Sequence, residues 1–462
     1  MPNLVREGEL KVPASDTVQK VLSYVDDHRE EIISTLQTAI RTKSVNPSFD
    51  PTSAGEGAMS DFYTGYLKKL GFSIERVEVD GRPSLIATLE SESNKRAGRP
   101  GTQRDVEPGP KLLFNAHMDT HPEIVGPWIN PFTGELLEKW SEASGGAFSG
   151  NIVDGFIYGR GACDHKSPGV ALLKGLEALQ AAGVKLGGKL TVIFDADEET
   201  GGAKGMQYIA KHYPMDFDMA LYGCTTDFTP LGRSFFTSMK ENNIIRAMAG
   251  QQAYRFTFTG HNYHVLTPKV GLGAVEAALL FIDRLRPMMD RVNAMEVPLE
   301  GHGQPRMRVN AIDCGYRGAS HHQAKTAEVI MNRRIPPGHD PKAAVKEMRD
   351  AVDTFNRDYP EHNITFEVIA DTPPYVLEEN SPIIQGIRRA VKKVFGVEPN
   401  ITGVPSPTGA SQFVAKHDIP TVLFGFGVLN FHHAIDERIH VDDLIKTTKV
   451  YAVALMELLG VE

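Results

Sequence analysis

The sequence predicts an α/β protein: a catalytic domain with a mostly parallel sheet and helices on both faces, plus an inserted α+β domain. Short apolar runs that end in polar residues alternate with segments of helical periodicity, as at residues 111–116 and 190–194. This alternation is typical of parallel sheets. Between residues 236 and 371 the runs instead alternate apolar and polar residues, as at residues 254–258. Such strands have one solvated face, which indicates a separate α+β unit and not a continuation of the buried parallel sheet.

The change of pattern divides the chain into three segments. Residues 1–235 and 372–462 are predicted to form the catalytic domain, and residues 236–371 a lid or dimerisation domain inserted into it. A chain of 462 residues is too long for one ordinary core, which agrees with two domains. The catalytic domain is predicted to begin with an amphipathic helix over residues 16–43, broken near residues 26–28.

Composition excludes several classes of function. The net charge is −9 and no Lys/Arg-rich block occurs, so neither nucleic acid nor an anionic membrane is an expected partner. No apolar run reaches the length of a membrane span, and the N-terminal residues lack the apolar core of a signal peptide. Three cysteines cannot build a disulfide framework, so we expect a cytoplasmic protein with reduced thiols.

Acidic residues and histidines follow the predicted strands where the strands end. Ligands of open α/β sheets bind beyond the carboxyl ends of the strands, so we expect these side chains to converge. Each one alone has an ordinary interpretation, such as a solvated helix start or a partly buried histidine. The set comprises His117, Asp119, Glu198, Glu199, Asp227 and His433, together with Asp164 in a glycine-rich turn before a helix.

These residue types suit a pair of divalent metal ions. Such a pair needs a bridging carboxylate, further carboxylate and imidazole ligands, and open positions for water and substrate. A ligating histidine needs an acceptor behind its other ring nitrogen, and Asp119 is two residues after His117. A carboxylate beside the metal can take a proton from water. Because Glu198 and Glu199 point in different directions, one can be the base and the other a ligand.

Four segments resemble the motifs of the M20 metallopeptidase family, which includes acetylornithine deacetylase, succinyl-diaminopimelate desuccinylase, aminoacylase and carboxypeptidase G-type enzymes. The resemblance implies that Asp164 bridges the metals, His117 completes one site, and Glu199 and His433 hold the other. It also implies that Glu198 is the general base, with one or two ions per subunit, usually zinc, although manganese or cobalt can serve. The segments are residues 117–119, 159–166, 197–202 and 433–437.

The inserted domain resembles the lid and dimerisation domain of that family. Residues 260–264, followed by Pro268, match a motif whose histidine reaches the active site of a dimer mate and stabilises the oxyanion. The resemblance implies that His264 has this role in a homodimer formed through the lid. Residues 332–337 resemble an Asp-x-Arg-x-x-Pro motif, which makes Arg334 structural or substrate-facing.

The sequence departs from the family at one metal ligand. The family places a Glu in a Gly-Glu-Pro-Thr segment, whereas residues 223–227 read Gly-Cys-Thr-Thr-Asp. Either Asp227 or Cys224 replaces this Glu, or the site is weak or empty. We favour Asp227, because a carboxylate suits an oxygen-rich site, and Cys224 is then a small buried apolar residue.

Further departures fall on the predicted substrate pocket. His321 lies in a segment where the family has a substrate-contacting Asn, and Thr408 and Gly409 lie in an altered late turn. We therefore expect a substrate that differs from those of the well-known amino-acid deacylases.

The leading predicted function is metal-dependent hydrolysis of an amide in an N-acyl amino acid, dipeptide or similar small carboxylate. One alternative is hydrolytic deamination of an aromatic or heteroaromatic amine at the same site. Another is a non-catalytic small-molecule binding protein, which the presence of Glu198 disfavours because a binder needs no base.

Overall fold

The computed structural model describes residues 13–92, 94, 108–123, 128–129, 136–227, 243–260, 264, 266, 272–297, 305–314 and 322–462. The chain forms two compact units. The first comprises Met1–Arg246, Leu377–Thr402 and Thr408–Glu462, and the second comprises Ala247–Val376 and Gly403–Pro407. The predicted domain boundaries, after residues 235 and 371, lie some residues before these divisions.

The first unit is built on a mixed sheet. Its order is β1-β2-β8-β3-β9-β17, with β10 beside β17. The four strands β8, β3, β9 and β17 are parallel, whereas β1, β2 and β10 pair antiparallel at the two sides. The strands are β1 (Ser73–Val79), β2 (Arg82–Glu90), β3 (Lys111–His117), β4 (Trp128–Ile129), β5 (Leu136–Leu137), β6 (Ile152–Val153), β7 (Phe156–Tyr158), β8 (Lys189–Asp195), β9 (Met219–Gly223), β10 (Asn243–Met248), β16 (Asn400–Val404), β17 (Thr421–Phe424) and β18 (Arg438–His440).

Helices cover this sheet. The predicted opening helix is present and is interrupted at His28, as expected, because the helical pattern stops there and resumes at Arg29. None of the described helices is long and apolar enough to cross a bilayer. The helices are α1 (Ser15–Asp27), α2 (Arg29–Arg41), α3 (Gly57–Lys69), α4 (Lys166–Ala181), α5 (Met206–His212), α8 (Pro382–Phe395), α9 (Ser411–His417) and α10 (Val441–Leu459).

The parallel strands form the centre of the core. Every described residue of β9 and β17 is buried, and only the first residue of β3 and of β8 is partly exposed. Tyr63 of α3 stacks on Phe194 of β8 with ring centroids 3.8 Å apart. This complete burial explains the continuous apolar runs in the sequence, and it leaves the carboxyl ends of the strands as the place where polar side chains begin.

The second unit has a four-stranded antiparallel sheet of order β12-β13-β11-β14. Buried and partly exposed residues alternate along β11, as the sequence predicted, because only one face of the sheet packs on helices. Phe256 of β11 packs against Phe281 of α6 with ring centroids 5.1 Å apart. The elements are β11 (Gly250–Thr259), α6 (Ala274–Asn293), β12 (Met307–Asp313), β13 (Thr326–Ile335), α7 (Pro341–Asp358), β14 (Thr365–Thr372) and β15 (Tyr375–Val376). The predicted fold class, an α/β catalytic domain with an inserted α+β domain, is thus confirmed, although the catalytic sheet, predicted to be mostly parallel, is mixed and only its four central strands are parallel.

Candidate metal centre

Four of the predicted ligands converge in the first unit. His117 Nε2 lies 3.2 Å from Asp164 Oδ1, and His433 Nε2 lies 2.9 Å from both Asp164 Oδ2 and Glu199 Oε2. Asp164 and Glu199 are therefore joined through one imidazole. Residues far apart in the chain meet at a cluster of two carboxylates and two histidines.

The parallel strands bring these residues together. His117 is the last residue of β3, and Glu199 lies in a 3-10 turn, Glu198–Thr200, shortly after β8. His433 follows β17 through a short loop, and Asp164 lies two residues before α4 begins. Because β3, β8 and β17 run in the same direction, their ends meet at one edge of the sheet.

Asp119 positions both glutamates. Its Oδ1 accepts a hydrogen bond from the main-chain N–H of Glu198 at 3.0 Å, and its Oδ2 accepts one from that of Glu199 at 3.1 Å. His117 Nδ1 lies 3.0 Å from the main-chain oxygen of Asp119 and 3.5 Å from its Oδ1. The acceptor behind His117 is thus principally the Asp119 carbonyl, while the carboxylate fixes the turn that carries the glutamates.

Glu198 and Glu199 have different electrostatic environments. Loss of solvent raises the pKa of the Glu198 carboxyl to about 7, and Glu199 and Asp164 nearby add to this, although His117 opposes it. Burial and Asp164 also disfavour the charge on Glu199, but hydrogen bonds from His121 and His433 outweigh them and hold its pKa below the usual value. Two adjacent carboxyls therefore differ, one suited to exchange a proton and the other to remain an anion.

Four further residues lie in the cluster: three histidines that the sequence interpretation did not assign to it, and Cys224, which it named as the alternative to Asp227. His121 Nε2 is 3.1 Å from Glu199 Oε2, His165 Nε2 is 3.1 Å from Asp164 Oδ1, and His432 Nδ1 is 3.5 Å from Asp164 Oδ2. Cys224 is the fourth. The available signal was proximity in sequence, because each histidine lies within two residues of an assigned residue.

Among the described residues, three groups present ligand atoms within 4.8 Å of one another. Cys224 belongs to one of them. Asp227, the favoured replacement for the missing Glu, belongs to none, and its carboxylate accepts hydrogen bonds from the main-chain N–H groups of Asn243 and Gly427. The groups are His121, Glu199 and His433; His117, Asp164 and His165; and His165, Cys224 and His432.

A buried carboxyl supports the turn that carries Asp164. Glu437 Oε1 accepts hydrogen bonds from the main-chain N–H groups of Cys163 and Asp164 at 3.1 and 3.2 Å. Its Oε2 lies 3.3 Å from Nη1 of Arg160, whose side chain is fully buried. This ion pair anchors the turn from behind, which accounts for the glutamate four residues after His433 in the recognised motif.

The cluster fits a divalent metal ion. Imidazole, carboxylate and thiol groups are the donors that such ions take from proteins. Both ring nitrogens of His165 are buried without a hydrogen bond to any described residue, although buried polar atoms normally have a partner. A cation would supply the missing interaction and would neutralise the adjoining carboxylates.

The remaining predicted site residues, those proposed to contact substrate or the oxyanion, lie partly in the first unit and partly in the second. The main-chain N–H of Gly409 donates to Glu198 Oε1 at 3.1 Å, and Thr408 Oγ1 accepts from the N–H of Ala410. In the second unit, Arg334 donates to Gln251, and desolvation lowers its pKa to about 10. His264 is exposed and forms an isolated bridge with His322. His321 lies outside the described residues.

Fold and site together define a metal-dependent hydrolase. Residues 113–457 match the sequence profile of Peptidase family M20/M25/M40, and the chain belongs to this family. The predicted class, a metallohydrolase acting on C–N bonds, is confirmed.

Related sequences match this chain over almost its whole length. An uncharacterized metallohydrolase of Methanococcus maripaludis is 25% identical over 449 residues, covering 91% of this chain and 98% of the relative. A succinyl-diaminopimelate desuccinylase of Hydrogenovibrio crunogenus is 23% identical over 436 residues, covering 93% and 99%.

Solved structures share the fold. Human carnosine dipeptidase 1 superposes with a TM-score of 0.68 at 17% identity, covering 97% of this chain and 99% of that one. An M20 family metallo-carboxypeptidase from Sulfolobus solfataricus gives a TM-score of 0.66 at 18% identity, covering 93% and 99%.

Proposed function

We propose that the chain hydrolyses an amide bond in a small, carboxylate-bearing substrate, such as an N-acyl amino acid or a dipeptide, with Glu198 as general base. One observation carries this proposal. The Glu198 carboxyl adjoins the Asp164–Glu199 cluster, lies outside the three candidate ligand groups, and has a pKa raised to about 7. A base near the operating pH transfers protons most efficiently.

We propose one or two divalent metal ions, zinc or, as substitutes, manganese or cobalt, which would supply the Lewis acidity that activates water and polarises a carbonyl. His117, Asp164, Glu199 and His433 are the residues proposed to hold them. Glu198 takes the proton of the attacking water and returns it to the nitrogen of the leaving amine.

The Glu198 carboxyl is held on one side by neighbouring groups. Its Oε1 accepts from the main-chain N–H of Gly409 at 3.1 Å and lies 3.4 Å from the hydroxyl of Tyr222. A Cβ at position 409 would lie 3.1 Å from the Tyr222 ring, so a glycine lets the backbone approach this closely. Oε1 is thus occupied by donors, and Oε2 is the oxygen we assign to proton transfer.

The names of relatives support the substrate class. They include a succinyl-diaminopimelate desuccinylase, a carnosine dipeptidase and a metallo-carboxypeptidase, names that denote hydrolysis of acylated amines or peptides. We propose that Arg334, Thr408, Gly409 and His321 contribute to substrate binding, and that His264 of a partner subunit stabilises the oxyanion in a homodimer formed through residues 236–371. The altered residues at 321 and 408–409 are expected to set the acyl or leaving group.

The substitution Glu198→Gln tests the base. It preserves shape but cannot accept a proton, so we expect kcat to fall about 10²–10⁴-fold while metal content, measured by mass spectrometry, is unchanged. Glu30→Gln, an exposed change in α2, is the matched control and should retain activity.

Full activity of Glu198→Gln would overturn the base assignment. The substrate screen should combine acyl-amino acids, dipeptides and aromatic amines. Release of ammonia without a carboxylic product would replace the amide proposal with deamination, and binding without turnover on any of them would indicate a binding protein.

A further inference from the structure

We propose that Cys224 is a metal ligand, which together with His165 and His432 gives this chain a thiolate-containing site that selects zinc-like ions over manganese or magnesium. The inference deepens the proposed function, because it rests on metal binding at the Asp164 cluster. It assigns the missing family Glu to Cys224 and not to Asp227.

The first observation is position. Cys224 is the residue directly after β9, between the ends of β3 and β17, the strands that carry His117 and lead to His433. The Cys224 side chain is 1% exposed, and its Sγ lies within 4.8 Å of a ring nitrogen of both His165 and His432. Two imidazole rings beside a buried sulfur are unusual for a cysteine that only fills apolar space, and they are the arrangement that a metal ligand requires.

The second observation is the unsatisfied histidine. His165 is 4% exposed, and neither of its ring nitrogens is hydrogen-bonded to a described residue. Its Nε2 lies 3.1 Å from Asp164 Oδ1, but these two atoms do not form a hydrogen bond. Burying such a ring without hydrogen bonds is unfavourable, because both nitrogens have lost their contacts with water. A cation shared with Cys224 would remove this cost.

The third observation is the orientation of His432. Its Nε2 lies 2.7 Å from Thr225 Oγ1, which can accept a hydrogen bond from the imidazole when Nε2 carries the ring proton. This tautomer leaves the lone pair of Nδ1, which faces Asp164 at 3.5 Å, free for a metal. A hydrogen bond behind the ring is typical of metal-bound histidines.

The donor set determines the metal. One thiolate and two imidazoles are soft to borderline ligands, which favour zinc and cobalt, whereas manganese and magnesium favour carboxylates and water. Binding breaks the Sγ–H bond and forms a metal–Sγ bond, and the proton passes to the buffer. No electron transfer is involved. The group with His121, Glu199 and His433 keeps a carboxylate and is correspondingly less selective.

The test is absorption spectroscopy of the full chain, stripped with chelator and titrated with Co²⁺. Sulfur bound to Co²⁺ produces a charge-transfer band in the near ultraviolet that nitrogen and oxygen ligands do not produce. We expect this band in the wild type, its loss in Cys224→Ser, and its loss together with weaker preference for zinc over manganese in Cys224→Asp.

The matched control leaves Cys224 unchanged. The chain has three cysteines, so the double variant C163S/C314S retains Cys224 alone and should keep the band. A band in this variant would come from Cys224 alone. It would therefore identify the ligand even if Cys224→Ser failed to fold.

Co²⁺ binding without the sulfur band in the wild type, or a band that persists in Cys224→Ser, would overturn the inference. A band without turnover on any amide would leave the inference standing and overturn the proposed function. Turnover of an amide without the band would leave the proposed function standing and overturn the inference. Absence of Co²⁺ binding would overturn both.

Discussion

Two of the three candidate ligand groups share no residue and differ in chemistry, and we call them the two halves of the proposed metal centre. The carboxylate half consists of His121, Glu199 and His433, and the thiol half consists of His165, Cys224 and His432. Neighbours in sequence serve opposite halves, since His432 and His433 belong to different ones. The difference teaches that membership of a family motif does not determine the half, because His165 lies within the recognised segment 159–166 yet belongs to the thiol half, whereas His121 lies outside the segments and belongs to the carboxylate half.

The largest expected effect is loss of the group common to both halves. Asp164 lies within 3.5 Å of nitrogens of His432 and His433, so Asp164→Asn removes the charge that is proposed to bind both ions. We expect activity to fall to background and metal content to fall in both halves, as measured by mass spectrometry. An Asp164→Asn protein that retains one full equivalent of metal would show that the halves bind independently.

A smaller effect is expected from His121, which distinguishes the halves. His121→Asn removes the imidazole that contacts Glu199 and leaves His433 in place. The affinity of the carboxylate half should fall by more than the roughly 10–100-fold that loss of an outer partner costs. The Co²⁺–sulfur band should persist with the same midpoint, and a shift of that midpoint would contradict the division into halves.

The smallest effect is expected from Thr225, which lies behind the thiol half. Thr225→Val removes the hydroxyl beside His432 Nε2 and should weaken cobalt binding there about 10–100-fold, seen as a shift in the midpoint of the sulfur band. Thr226→Val is the matched control, because the Thr226 hydroxyl donates to Asn243 and Gly425 main-chain oxygens instead. Equal shifts in the two variants would contradict a specific role for Thr225.

The sequence was sufficient to predict the site residues that lie just beyond the ends of the parallel strands. The continuous apolar runs marked β3, β8 and β17, and the residues that follow them meet as expected. The inserted sheet was visible from the alternation in β11. These signals are local, because burial of a strand on one or two faces is recorded in consecutive residues.

The thiol half was not predictable in this way. His165 and His432 are adjacent to assigned residues and Cys224 was the alternative to Asp227, but the directions of these side chains depend on backbone angles that the sequence does not reveal. His433 has φ of +60° and Asp197 has φ of +66°, a region that residues other than glycine seldom adopt. These turns direct His432 and His433, and the two glutamates, to different neighbours. Asp227 was favoured on ligand type alone, while the loop occupies its carboxylate with two main-chain N–H groups.

The Asp119 carboxylate accepts hydrogen bonds from two successive main-chain N–H groups, which couples the positions of the two residues that carry them. The main-chain N–H groups of Glu198, the proposed proton acceptor, and Glu199, the proposed ligand, both donate to the Asp119 carboxylate, so we expect the two residues to shift together when that turn moves. Substitutions elsewhere in the site, including an oxygen ligand in place of the Cys224 sulfur, would therefore leave the spacing between Glu198 and the ligand Glu199 unchanged.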